Sequence, residues 1–194
     1  MKYAFDGYEA YAWGCDQLKP ITKQCSNWYG DVSVLSTAVD ALDTLFIMDL
    51  KEEYKKAKKL VLEKLSFDGL SITFKLFETN IRVLGGLLSA YELDGDVALL
   101  KKAKHVADYL VLAFETPTGM PMPYVRFHDG RAQSSDADGI IAELGTLQLE
   151  FQYLSDVTGD PSYGEKVRLY LYLCYQRLMF VGPVCVRADE SSHE

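Results

Sequence analysis

The chain has 194 residues, enough for one domain with a real core, and its 48% hydrophobic and 25% charged content is that of a folded globular protein. Its net charge of -8 disfavours a nucleic-acid partner, because a polyphosphate backbone is met by a basic face. No stretch reaches the roughly 18 uninterrupted apolar residues of a membrane helix.

The N-terminus, Met1 to Asp16, carries Asp6, Glu9 and Asp16 and lacks the basic-then-apolar order of a signal peptide. Four cysteines, Cys15, Cys25, Cys174 and Cys185, form no CxxC pair, and His105, His128 and His193 are scattered, so no residue is assigned as a metal ligand. Buried free thiols are the ordinary reading, with disulfides open only in an oxidising compartment.

Helical periodicity then dominates. Apolar residues at Leu99, Leu100, Ala103, Val106, Ala107 and Leu110 make one buried stripe. Asp94-Gly95-Asp96 reads as one helix stopping at Gly95 and the next capped by Asp96. Thr158-Gly159-Asp160-Pro161 repeats that grammar with Pro161 in the first turn. The chain therefore reads as three antiparallel helical hairpins, residues 31–49 with 51–65, 77–94 with 97–115, and 140–158 with 161–179. The first helix of each is rich in Leu, Gly, Ala and Ser, as an inner layer requires, and the second is charged, as an outer layer requires.

Between the second and third hairpins, Thr116 to Gly139 reads as a long loop with a weak strand signal from Pro121 to Phe127, and loops of that length often serve binding. Asp136 and Asp138 in it are either solvated acids or ligand-facing ones. After residue 173 the pattern fades, so 174–194 reads as a divergent tail behind a domain at 1–173.

Periodicity stops at an all-α array of helical hairpins; particular words go further. Val39-Asp40-Ala41-Leu42-Asp43-Thr44-Leu45, Phe77-Glu78-Thr79-Asn80-Ile81-Arg82-Val83-Leu84-Gly85-Gly86-Leu87-Leu88-Ser89-Ala90-Tyr91, Thr116-Pro117-Thr118-Gly119-Met120-Pro121 and Tyr11-Ala12-Trp13-Gly14-Cys15-Asp16 stand in one order along the chain. So do Gly145-Thr146-Leu147, Leu149-Glu150-Phe151 and Thr158-Gly159-Asp160. Together they resemble the N-terminal part of the catalytic domain of class I α-1,2-mannosidases, glycosyl hydrolase family 47.

The resemblance implies part of an (α/α)7 barrel, about three of its seven hairpins. It also implies hydrolysis of terminal α-1,2-linked mannose from high-mannose N-glycans with inversion, a Ca2+ ion, and residence in the endoplasmic reticulum or Golgi lumen. By the same match Glu78 is the proton-donating acid, Arg82 a sugar-binding arginine, Glu143 a carboxylate contacting substrate, and Asp43 a support residue. Without the match, Glu78 and Arg82 at i, i+4 are an ordinary helix ion pair, Glu143 a solvated acid, and Gly85-Gly86 a close helix contact.

The resemblance supplies neither the general base nor the calcium ligand within these residues. The chain thus reads as truncated and inactive alone. The alternatives are a non-catalytic glycan-binding remnant and a helical scaffold.

Overall fold

The computed structural model describes residues 1–117, 119–128, 131–134 and 140–181. Asp136, Asp138, Cys185, His193 and Arg187 to Asp189 lie outside the described residues. The structure is mostly helical and divides into two compact units, residues 1–67 with 82–106, and 68–81 with 107–194.

The first unit opens with helix α1 (Lys2–Ala12), which buries Phe5, Tyr8 and Ala12. A short antiparallel hairpin follows, β1 (Gln17–Lys19) with β2 (Gln24–Ser26), in the register Leu18 opposite Cys25. Cys15 and Cys25 form a disulfide across its base, which overturns the free-thiol reading for this pair. Spacing could not reveal it, because the two cysteines, ten positions apart, meet only once the hairpin folds back.

The inner helix expected over 31–49 starts later and is broken in two, α2 (Ser36–Asp40) and α3 (Leu42–Ile47). Asp16 explains the late start. Its side chain is fully buried, and its Oδ1 accepts from Ser33 Oγ (3.1 Å), Val34 N–H (2.8 Å) and Ser36 N–H (3.1 Å). Thr37 donates its N–H and hydroxyl to the Asp16 carbonyl at 3.0 and 2.6 Å. Inside this cage Leu35 sits at φ 56°, a left-handed conformation costing a non-glycine residue about 1–2 kcal/mol. The bonds to residues 33, 34 and 36 on either side of it offset that cost.

Helix α4 (Lys51–Lys64) packs on α2 and α3 and buries Tyr54, Ala57 and Val61. Helix α6 (Gly85–Asp94) packs on α3 and stops at Gly95, whose φ of 72° suits glycine. Asp96 then accepts from Ala98 N–H at 2.8 Å as the expected cap of α7 (Val97–Leu110). The same acid pair anchors α4: Lys58 pairs with Asp94 and, at 2.6 Å, with Asp96. Burial alone would lower the Lys58 pKa, but the two carboxylates outweigh it and raise it.

The second unit contains β3 (Thr73–Lys75), α5 (Leu76–Glu78), a 3-10 turn (Val111–Phe114), β4 (Tyr124–His128) and β5 (Arg131–Ser134). The last hairpin completes it, with α8 (Ile141–Leu144), α9 (Gln148–Thr158) and α10 (Ser162–Val181). The expected 116–139 loop is therefore largely a three-stranded antiparallel sheet, ordered β3-β4-β5. Phe74 and Val125, paired across β3 and β4, are both fully buried. Three-residue strands carry little periodicity, and their pairing is set by residues some fifty positions apart.

The α9–α10 turn has the predicted form: Gly159 has φ 72°, and Asp160 accepts from Ser162 N–H at 3.1 Å. Phe114 meets Phe151 edge-on at 5.7 Å, closing the core of this unit. Helix α10 continues to Val181, past residue 173.

Candidate functional site

The stretch from β3 to α6 carries two of the sequence-selected residues, Glu78 and Arg82. Chain direction changes at Lys75: β3 ends, α5 begins at Leu76, and a π-helical turn runs Thr79–Leu84 before α6 continues. A π turn adds a residue to one helical turn and re-aims the side chains on it, and such turns frequently occur at functional sites. Its start is secured by Thr79, whose hydroxyl donates to the Lys75 carbonyl at 2.9 Å.

One of the predicted site acids binds a cation directly. Lys75 Nζ donates to Glu143 Oε1 at 2.9 Å, with both side chains largely covered. The hydrogen bond to Glu143 raises the Lys75 pKa, burial opposes it, and the charge of Glu78, three residues further along the chain, adds to the rise. Leu76 N–H donates to the Pro123 carbonyl at 2.9 Å, and Lys75 pairs with Tyr124 across the sheet, so the Pro121–Phe127 segment runs beside Lys75 and Leu76.

Arg82 belongs to the first unit. Its Nη1 lies 3.6 Å from Asp40 Oδ2, and its guanidinium stands over the Trp28 ring, 5.7 Å from the centroid. Its side chain remains 43% exposed, leaving donor N–H groups within reach of a ligand. Asp43 accepts from Ser89 Oγ at 2.9 Å and from Thr44 N–H at 2.6 Å, bonding α3 to α6.

Sequence reasoning missed Lys75 and Asp40. Asp40 was legible in part, since it shares the word that contains Asp43. Lys75 gave no signal, because it acquires its partner only through long-range contacts. Trp28 could be read either as a sugar-stacking ring or as a core aromatic.

Behind Glu78, Asn80 is fully buried and donates Nδ2–H to Glu150 Oε2 at 2.7 Å. Burial raises the Glu150 pKa, while its own backbone N–H and Asn80 pull it down less strongly. Among the described residues, no group of three or more His, Cys, Asp or Glu side chains could hold a metal ion.

Helical hairpins with a small loop-borne sheet form the frame, and comparison with known proteins identifies the family. The profile described as "Glycosyl hydrolase family 47" matches residues 1–178, and the chain belongs to that family. It is 42% identical over 174 residues to "Mannosyl-oligosaccharide alpha-1,2-mannosidase IA" of Drosophila melanogaster, covering 87% of this chain and 26% of that protein. It is 44% identical over 167 residues to the "Endoplasmic reticulum mannosyl-oligosaccharide 1,2-alpha-mannosidase" of Rattus norvegicus, covering 85% and 25%.

Among solved structures it matches the "alpha-1,2-mannosidase from Trichoderma reesei" with a TM-score of 0.78 and 29% identity, over 92% of this chain and 39% of that one. The all-α hairpins are thus part of an (α/α)7 barrel. The chain spans about a quarter of the length of the curated relatives just described.

Proposed function

We propose that this chain forms the acid-bearing part of a mannosyl-oligosaccharide 1,2-α-mannosidase, acting on terminal α-1,2-linked mannose of high-mannose N-glycans. The observation that carries this reading is the bond of Glu143 to Lys75, three residues before Glu78 and the π turn, within the residues 1–178 that match the family. In an inverting hydrolysis, Glu78 gives its proton to the glycosidic oxygen as the bond from the anomeric carbon breaks. A water attacks that carbon from the opposite face and loses its proton to a second carboxylate. The two carboxyls of such a pair stand about 6.5–9.5 Å apart to admit the water.

Glu143 does not suit the base. It is held in a 2.9 Å bond to Lys75, which fits a fixed contact to sugar hydroxyls. Arg82, in the first unit, rests against Asp40 and Trp28, and the family resemblance makes it a sugar-binding residue. We assign the base and the calcium ligands to the remainder of the complete catalytic domain. The Cys15–Cys25 disulfide supports residence in an oxidising lumen such as the endoplasmic reticulum or Golgi. No helix among the described residues is long and apolar enough to cross a membrane.

A second reading for this chain alone is glycan binding without turnover. One experiment separates the two. Residues 1–178 are grafted in place of the matched segment of the Trichoderma reesei enzyme, and mannose release is assayed with and without calcium. The chimera is expected to be active and calcium-dependent, and its Glu78→Gln variant to lose about 10²–10⁴-fold, the worth of a general acid. A Glu78→Gln chimera as active as its parent sinks the assignment. The chain alone is expected to release no mannose.

A further inference from the structure

The N-terminal hairpin is small and open to solvent. Its strands are three residues each, its residues 19–25 are all exposed, and Ile21 at its tip is 96% exposed. A two-stranded hairpin alone is marginal in water, and this one packs on α1. Two further ties act on the residues beside Trp28. The Cys15–Cys25 bond joins the end of α1 to β2. The next residue, Asp16, donates its N–H to Asn27 Oδ1 at 3.0 Å and accepts from Trp28 N–H at 2.9 Å. Trp28 leaves this clamp with its ring under the Arg82 guanidinium. Asp40, the carboxylate partner of Arg82, is itself 39% exposed and cannot alone fix a long side chain.

We propose that the Cys15–Cys25 disulfide is a positioning element for Arg82: it staples the hairpin that presents Trp28 as the platform on which the guanidinium rests. This rests on the reading of Arg82 as a sugar-binding residue. The bond is open to exchange, since Cys25 is exposed. A small dithiol reduces it in two steps: a thiolate attacks one sulfur, and the second thiol then displaces the mixed disulfide. The Cys15–Cys25 bond breaks, each sulfur takes up a proton, and the dithiol leaves as a cyclic disulfide. Two electrons pass to the protein. The freed hairpin frays, Trp28 loses one of its two anchors, and Arg82 loses its platform.

The test uses the full chain and reads the Arg82 Nε–H resonance by NMR, identified by its loss in Arg82→Lys. In the oxidised chain the Trp28 ring current shifts it upfield. The shift is expected to vanish on adding dithiothreitol, in Cys25→Ser without reductant, and in Trp28→Leu, and to persist in part in Trp28→Phe. Helical circular dichroism is expected to stay unchanged throughout.

An upfield shift that survives reduction overturns the proposal. So does loss of helical signal on reduction, which would make the bond a general staple of the unit. Titration with a high-mannose glycan separates the two readings. Weaker binding after reduction supports both. A resonance that moves with redox state in a chain that binds no glycan in either state supports the positioning role and overturns the sugar-binding role of Arg82.

Discussion

Fully buried Asn80, two residues past the proposed acid, and half-buried Glu150 form a polar pair, and the pair is incomplete. Asn80 Oδ1 is buried with no hydrogen-bond partner in the structure, while Asn80 Nδ2 uses Glu150 as its acceptor. An ionised carboxylate only accepts, so it cannot satisfy that oxygen; a protonated one can. This agrees with the upward shift that burial imposes on Glu150. A carboxyl whose folded pKa is raised contributes stability that is complete below its ordinary value of 4.5 and is lost as pH rises through the folded value. Glu150→Gln supplies an N–H donor at every pH. We expect the variant to melt at higher temperature than the parent at pH 7, with the difference closing as pH falls toward 4. Equal melting temperatures at pH 7 would show that burial of this carboxylate carries no net penalty.

At the scale of elements, the contact between α2 and α6 depends on Gly86. A Cβ built there would stand 2.9 Å from Val39 Cγ1 and 3.2 Å from the Val39 carbonyl oxygen. The oxygen is backbone and cannot rotate away, so the two helices must part. Gly86→Ala is expected to destabilise the chain by about 1–3 kcal/mol, the usual cost of overpacking, despite alanine's better helix propensity. Denaturant unfolding measures it, and an unchanged or raised midpoint would refute the close contact.

The glycine pair was readable in advance as close packing. So were the three helix–turn–helix units, because Gly95, Asp96, Gly159 and Asp160 perform in the structure the stop and cap roles that their types favour. The three-stranded sheet was not readable in the same way. Its pairing of Thr73 with Arg126 and Val125 with Ser134 is specified by the partner strand rather than by local pattern.

At the scale of the whole molecule, the exposed apolar side chains matter more than any single contact. In the second unit Leu169 and Tyr172, one turn apart on α10, are 55% and 59% exposed, and Leu149 on α9 is 73% exposed. In the first unit Ile47 and Met48 project from the end of α3. Side chains of this kind promote association when they lie together on a surface. The chain by itself is expected to self-associate at micromolar concentration, as read by light scattering, and Leu149→Gln with Leu169→Gln to reduce that association without lowering the melting temperature. A monodisperse monomer in the unsubstituted chain would refute this.

The sequence by itself determined the family, the three helical hairpins and the identity of the residues on which activity is proposed to rest. Those properties are local: capping types, helical spacing and contiguous words are all read within a turn or two of chain. Tertiary structure alone decided which of these residues share an environment. Lys75 meets Glu143 across 68 positions, Asn80 meets Glu150 across 70, and Arg82 finds Trp28 only because Asp16 folds the N-terminal hairpin back over the intervening chain. The disulfide belongs to the same category. Cysteine spacing left its pairing open, and the closure of a ten-residue hairpin settled it by bringing Cys15 and Cys25 within bonding reach.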